Sequence, residues 1–500
     1  MDRDDRIDVR ALFAEHPFAQ RILRTLGANG HRAVLIGGVV RDGLLAAWGA
    51  DVPFPPADVD IATSALPDEI RGLFAGHPVL AVGEEFGVVV IVAPDGRPYE
   101  VATFRTEGEY DGRWPGKVAL VRDLEADIRR RDLTINGLVA AADGRVTDFV
   151  GGVADLRARR VRAIGDPRAR FAEDHLRMLR VVRFVCQIDG TLDAETARAV
   201  AAHAADIGSI SGERIREELL RTLKTPRAHV GLALLDELGL LRSILPELVA
   251  GKGVPQPEEY HPEGDVFVHT VESVRVADAF VRDPLVKLAI ALHDVGKPEA
   301  LVRNRGANMG GHCAVGAGMV LRIARRLRMS RSETLRLSFL VKNHMRIADF
   351  PEMGRGKQVR FLTSGEPGRG SSLGERYPMF LDLLRVLVAD CEASAHRSSG
   401  WAPVLRETLE VVDHVEQVGD LSRARKLIDG NDLVRLGMPP GRRLGDVLEL
   451  LHDRVLAGEI TTRPAALREA EVLISRGGEE TLEPRERDIR PGSLDAASLP

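Results

Sequence analysis

Apolar residues follow two rhythms along this chain, and the change between them marks the first boundary. Up to about residue 150, short apolar runs are cut by Gly, Pro and Asp. Ala33–Ile36 and segments 58–62, 79–82, 87–92 and 99–103 read as strands. The residues before about 30, and segments 39–48 and 67–74, read as helices, the last with Pro at a favourable first position. From about residue 168 the strands are expected to stop. Apolar positions then recur at helical spacing through 174–188, 193–206, 213–223 and 228–241. The Gly- and Pro-rich segment 251–264 reads as a linker, followed by helical blocks to about 396 and from about 400 to 475. The final 25 residues hold six acids, four Arg and little apolar periodicity, and read as disordered. The pattern predicts an α+β chain. A module with a small mixed sheet (1–150) precedes helical regions at 151–250, 264–396 and 400–475, and a tail at 476–500.

Composition narrows this. At 500 residues with 44% hydrophobic positions, several cored domains are expected. With 4% aromatic residues, a long row of stacking rings for single-stranded RNA is excluded. The net charge of −5 rules out a uniformly basic nucleic-acid binder, yet 61 of the 69 basic residues are Arg. That excess fits either a GC-rich genome or phosphate and base-edge contacts. Cys186, Cys313 and Cys391 show no CxxC spacing, so a disulfide framework or zinc ribbon is not expected. The charged start and the lack of long apolar runs predict a cytoplasmic protein with no membrane partner.

Two short motifs carry chemistry. Leu35-Ile-Gly-Gly-Val-Val-Arg-Asp42 ends a strand on Gly37 and Gly38 and opens a helix, which places bare backbone N–H groups at a helix start. Alone, this is also an ordinary tight turn. Asp58-Val-Asp60 puts two carboxylates on one face of an expected strand, where their repulsion favours a cation such as Mg²⁺. Alone, this is also a common surface pair.

Together these motifs resemble the class II tRNA nucleotidyltransferases, the CCA-adding enzymes, and their bacterial poly(A) polymerase relatives. Segments 99–105 (YEVATFR), 130–136 (RRDLTIN), 173–177 (EDHLR) and 213–219 (ERIREEL) follow in the family's order. The resemblance covers about residues 20–245 and returns in the tail. It implies a nucleotidyltransferase head and an all-α neck. In the head, Asp58 and Asp60 would be the catalytic carboxylates holding two Mg²⁺ ions. Nucleotide contacts are implied for Gly37, Gly38, Arg41, Asp42, Arg131, Asp132, Asn136, Asp174, Arg177 and Arg180. Glu100 is a candidate third acid, or equally a cross-strand partner for an arginine. CTP, ATP and tRNA are the implied partners, without DNA. Oligomeric state stays open.

Asp174 and Arg177, at i and i+3, are expected on one helix face, where an intrahelical salt bridge is the commonest arrangement. The family reading makes them a protein template. A carboxylate accepts from the amino group of C or A while a guanidinium donates to the ring nitrogen. U and G place a carbonyl where that amino group should be. Segment 103–117, polar and Gly-rich, resembles the family's flexible loop for switching from C to A, though a long hairpin has the same composition. Residues 157–183 hold nine Arg against three acids, a basic stripe suited to RNA phosphates.

Further along stand His269, His293-Asp294 in an HDVGKP run, His312, His344 and Asp390. A His, an adjacent His-Asp on a helix and a distant Asp resemble the HD phosphohydrolase superfamily. This implies a divalent metal of unknown identity at His269, His293, Asp294 and Asp390, with His312 and His344 supplying a second metal or holding a phosphate. The implied activity is hydrolysis of 2′,3′-cyclic or 2′-phosphate RNA ends. The leading expectation is CCA addition to tRNA. An enzyme adding only A, a poly(A) polymerase, and an HD hydrolase with an inactive RNA-binding head remain as alternatives. Segment 81–89 resembles the CCA type rather than the polymerases.

Overall fold

A computed structural model describes residues 5–80, 86–107, 110–111, 114–115, 118–364, 372–394, 400–419 and 421–475. The expected disordered tail lies outside the described residues. So do 81–85 of the CCA-type segment, and 108–109, 112–113 and 116–117 of the polar loop. The chain forms two compact units, 1–246 and 247–500. Among the described residues no helix is long and apolar enough to cross a membrane.

The first unit is built on a seven-stranded sheet. Its order is Val146–Asp148, Leu138–Ala140, Ala33–Ile36, Ile61–Thr63, Pro98–Thr103, Val88–Val92, Val79–Leu80. Neighbours run antiparallel except Ile61–Thr63 and Pro98–Thr103, which run parallel, so the sheet is mixed as expected. Val34, Ile36, Ala62 and Val139 pack with Phe104, Leu124 and Ile128 in a core that fixes the strand ends near the motifs. The N-terminal helix of the sequence reading is two helices, Val9–Glu15 and Pro17–Ala28. His16 sits between them at φ −121°, because Pro17 lacks the N–H a continuous helix needs.

Three boundaries differ from expectation. The second strand begins at Ile61, so Asp58 and Asp60 lie in the extended run leading into it. Strands do not stop at 168: Arg160–Val161 pairs in parallel with Thr191–Leu192. The helix expected over 174–188 begins at Leu176, and Asp174 (φ −148°, ψ 107°) is the non-helical cap of the preceding helix, Pro167–Glu173. The described ends of the polar loop pair as a ladder, Arg105–Glu107 with Val118–Leu120.

Every regular element among the second unit's described residues is a helix. Six helices matter for its chemistry: Val266–Ala277, Pro284–Leu292, Lys297–Arg303, His312–Arg326, Arg331–Asn343 and Pro378–Ala393. His293 caps the end of Pro284–Leu292 and Asp294 follows in the turn, so the His-Asp pair sits past a helix end rather than within a helix.

Candidate active sites

In the head, strand Ala33–Ile36 delivers the chain to Gly37, which caps helix Gly38–Ala47 at φ 74°. That left-handed conformation favours glycine. A Cβ there would stand 3.9 Å from Asp60 Oδ2, in ordinary van der Waals contact, so Gly37 lies directly beside that carboxylate. The backbone N–H of Ile36 donates to the Asp60 carbonyl at 3.2 Å, which joins the two motifs directly. Val59 is buried between Asp58 and Asp60, and both carboxylates reach solvent. Partial enclosure by protein, then the charge of Glu100, raises the pKa of Asp60, with Asp58 adding to it and Arg131 opposing. Glu100 lies beside Asp60 because its strand runs parallel to the next one, with Val101 opposite Ile61. Hard oxygen donors on an open surface suit Mg²⁺, which keeps several waters.

His16, which sequence reasoning missed, braces this corner. Its Nε2 lies 2.8 Å from the Pro56 carbonyl and its Nδ1 3.2 Å from the Tyr99 hydroxyl. The carbonyl can only accept, so Nε2 carries the proton and Nδ1 accepts from Tyr99. One ring thus ties the loop before Asp58 to the strand carrying Glu100. Nothing in the local sequence signals this; it needs a contact across 83 positions.

The remaining candidate nucleotide contacts form a charged seam. Arg41 is buried, donates to both oxygens of Asp42 (2.8 and 2.9 Å) and to Asn136 Oδ1 (2.8 Å), and lies over the Phe184 ring. Arg131 pairs with Asp127 at 3.0 Å. Asp132 accepts from Arg180 at 2.6 Å; burial opposes its charge, but Arg180 holds its pKa down to about 2. Arg180 and Arg183 also stack on Phe184, and Arg183 pairs with Glu218 at 2.7 Å. Arg177 pairs with Glu173. Asp174 instead pairs with Arg214 at 2.9 Å. The expected intrahelical face does not form, because the chain leaves helical geometry at Asp174.

The basic stripe also changes meaning. Arg157 pairs with Asp5, Arg160 and Arg162 with buried Asp155, and Arg180 and Arg183 with Asp132 and Glu218. Most of these acids lie outside residues 157–183, so a local charge count overstates the free positive charge.

In the second unit the predicted HD residues converge. His269 Nε2 lies 3.2 Å from His293 Nε2 and 3.0 Å from Asp390 Oδ1. His312 Nε2 lies 3.3 Å from His344 Nε2, and both face Asp294 Oδ1, at 3.3 and 3.6 Å. Asp294 Oδ2 faces His293 at 3.3 Å and His269 at 3.8 Å. Each ring has its Nδ1 on a fixed acceptor: Glu263 for His269, and the carbonyls of Ile290, Met309 and Val341 for His293, His312 and His344. This second layer turns every Nε2 inward, as metal-binding imidazoles require. Sequence reasoning missed Glu263, and also Cys313, whose Sγ is 3.5 Å from His312 Nε2.

The electrostatics also draw positive charge here. Burial opposes protonation, yet Asp390 and Glu263 raise His269 to about 9, and Asp294 and Cys313 raise His312 to about 9 and His344 to about 10. Asp294 and Asp390 are held well below the carboxylate range: against the cost of burial, Asp294 has the charges of His293 and Lys297, and Asp390 its hydrogen bond to His269. Mixed imidazole and carboxylate donors around a buried negative centre fit a divalent metal.

Residues 33–162 match the family model described as the poly(A) polymerase head domain. Residues 191–251 match the probable RNA and SrmB-binding site of polymerase A. A CCA-adding enzyme from Geobacillus sp. (strain WCH70) is 44% identical over 229 residues, 45% of this chain and 54% of the relative. The chain thus spans about half the length of the first curated relatives it matches. The A-adding tRNA nucleotidyltransferase of Deinococcus radiodurans is 32% identical over 464 residues, 90% of this chain and 96% of that relative. Among solved structures, the Bacillus stearothermophilus CCA-adding enzyme in complex with CTP aligns with a TM-score of 0.61 and 26% identity, covering 93% of this chain and 98% of that one. The Thermotoga maritima CCA-adding enzyme complexed with tRNA shares the fold at TM-score 0.54 and 16% identity, covering 92% of this chain and 96% of that one.

Proposed function

The chain belongs to the tRNA nucleotidyltransferase family, whose head domain is shared with the poly(A) polymerases, and from that premise we propose that it adds C, C and A in turn to tRNA 3′ ends without a nucleic-acid template, in the cytoplasm. CTP and ATP are the substrates. One observation carries this reading: the residues expected to hold the nucleotide meet in one bonded seam. Arg41 joins Asp42 to Asn136, and Arg180 pairs with Asp132.

In this mechanism Asp58 and Asp60, with Glu100 beside them, would hold two Mg²⁺ ions. Bound there, Mg²⁺ would acidify an attacking 3′-hydroxyl and neutralise charge on the leaving pyrophosphate. The Gly37–Gly38 helix start and Arg41 hold the triphosphate, in line with the attacking oxygen. Arg131, Asp132 and Asn136 fix the ribose. Asp174 accepts from the amino group of C or A, and Arg177 donates to the ring nitrogen.

A second reading, addition of A alone, is favoured by the Deinococcus radiodurans relative that aligns along nearly the whole chain. Offering tRNAs that end at the discriminator base, at C and at CC, with each nucleotide in turn, separates the readings. Ordered addition of C, C and A supports the proposal. Addition of A to CC ends alone supports the second reading, runs of A indicate a polymerase, and no addition overturns both.

For the second unit, we propose a metal phosphohydrolase acting on 2′,3′-cyclic or 2′-phosphate RNA ends. His269, His293, Asp294 and Asp390 would hold the ion, with His312 and His344 completing a second position. A bound metal would polarise a phosphoryl oxygen and acidify water. Purified protein is expected to carry metal, and His293→Ala to lose both metal and hydrolysis. Unchanged hydrolysis in that variant ends this reading.

A further inference from the structure

We propose that Cys313 is a metal ligand, completing with His312, His344 and Asp294 a four-donor centre for a zinc-class transition metal. The inference rests on the reading of this cluster as a metal site and goes beyond it in naming a thiolate and the class of metal.

The distances carry it. His312 Nε2 to His344 Nε2 is 3.3 Å, His312 Nε2 to Asp294 Oδ1 is 3.3 Å, and His344 Nε2 to Asp294 Oδ1 is 3.6 Å. Cys313 Sγ to His312 Nε2 is 3.5 Å, and the sulfur and both Nε2 atoms all lie within 4.8 Å of one another. A tetrahedral ion with bonds of about 2.0–2.1 Å to N and O and about 2.3 Å to S gives edges of roughly 3.3–3.4 Å between N and O donors and roughly 3.6 Å between S and N. The four separations of 3.3–3.6 Å made by His312 and His344 follow those edges.

The surroundings agree. His312 and His344 direct Nδ1 to backbone carbonyls, so neither Nε2 is needed for holding the fold. Asp294 is 2% exposed, and its Oδ2 makes no directed hydrogen bond, only charge contacts with Lys297 at 2.5 Å and with the imidazoles.

A sulfur donor changes which metal is held. Thiolate favours Zn²⁺, Fe²⁺ or Co²⁺ over Mg²⁺, Ca²⁺ or Mn²⁺. On binding, the Cys313 S–H bond breaks, the sulfur–metal bond forms and the proton leaves to solvent. Four protein donors fill a tetrahedron and leave no open position. The Cys313 centre acts by anchoring the shared carboxylate.

The test is cobalt titration of the chelator-treated full chain, read by absorption. Thiolate-to-cobalt charge transfer in the near ultraviolet is expected together with the visible bands of tetrahedral cobalt. Cys313→Ser should abolish the charge transfer and weaken that centre about tenfold or more, while cobalt still fills the neighbouring centre. Cobalt binding without charge transfer, or charge transfer that persists in Cys313→Ser, overturns the proposal. Cobalt uptake that is the same in the parent and in His293→Ala instead overturns the underlying metal-site reading, and the proposal with it. Should Cys313→Ser fail to fold, the parent decides. Iodoacetamide labelling of Cys313, mapped by mass spectrometry, is expected to slow about tenfold on zinc loading; equal rates refute the thiolate ligand.

Discussion

Asp174 Oδ2 stands 2.9 Å from Arg214 Nη2, and Asp174 Oδ1 accepts the backbone N–H of Leu176 at 3.0 Å. The carboxylate assigned to base reading is thus aimed from a neighbouring helix, Gly212–Leu223, while Arg177 is aimed by Glu173. Arg177→Ala is expected to raise misincorporation of UTP relative to CTP by roughly tenfold or more, since a directed base-edge contact is worth about 1–3 kcal/mol. Arg214→Ala should do the same more weakly, because Asp174 keeps its backbone partner. Single-nucleotide incorporation assays check both. An Arg177→Ala enzyme that rejects UTP as well as the parent removes the template role.

Asp60 makes a prediction about activity and stability together. Its pKa is raised by enclosure and by Glu100, so the folded state binds this proton more tightly than the unfolded chain. A raised carboxyl pKa withholds stability at neutral pH and returns it as pH falls towards the carboxylate range. Asp60→Asn should therefore melt higher than the parent at pH 7, with the gap closing as pH falls to about 4. The same variant should lose nucleotidyl transfer by about a thousandfold or more. A melting temperature equal to the parent's across this range shows that the carboxylates do not repel.

Asp132 has the opposite sign. Its pKa is depressed to about 2 by Arg180, so its contribution is full above the ordinary carboxyl value and is lost as pH falls through about 2. Asp132→Asn should cost about 2 kcal/mol of stability at pH 7, because Arg180 then loses its charged partner. Urea unfolding at pH 7 and pH 3 measures it: the difference between parent and variant should be smaller at pH 3.

His16 tests the brace under the catalytic loop. His16→Ala leaves the Pro56 carbonyl and the Tyr99 hydroxyl without their partner. A loss of about 1–3 kcal/mol is expected from the broken hydrogen bonds. The catalytic rate should fall with little change in nucleotide KM, because the loop carries Asp58 and not the base-reading residues. A change in KM alone would place His16 outside this role.

Much of the site was legible because its chemistry is written in short spacings. Gly37-Gly38 keeps its expected strand end and helix start, whereas Asp58-x-Asp60 lies ahead of its strand and His293-Asp294 past a helix end. The partners were not legible. Asp174 pairs with Arg214 and Arg183 with Glu218, and both pairs span 35 positions or more. The strand pair Arg160–Val161 and Thr191–Leu192 was missed because two-residue strands leave no alternation to read. The break at Asp174 was missed because helical spacing persists on both sides of it.

The sequence by itself determined the mixed α+β head before helices, and which residue types are candidates for a phosphate, a base or a metal. These follow from periodicity and side-chain chemistry, which are local. Tertiary structure decided which charges are free and which are spent. It turned a stripe of nine arginines largely into ion pairs with distant acids. It set Glu100 beside Asp60 through a parallel strand register, and Glu263 and Cys313 beside histidines that the sequence had already marked. The reason is range: charge and coordination depend on atoms a few ångströms apart, and only folding brings positions 263, 294, 313 and 390 to that distance.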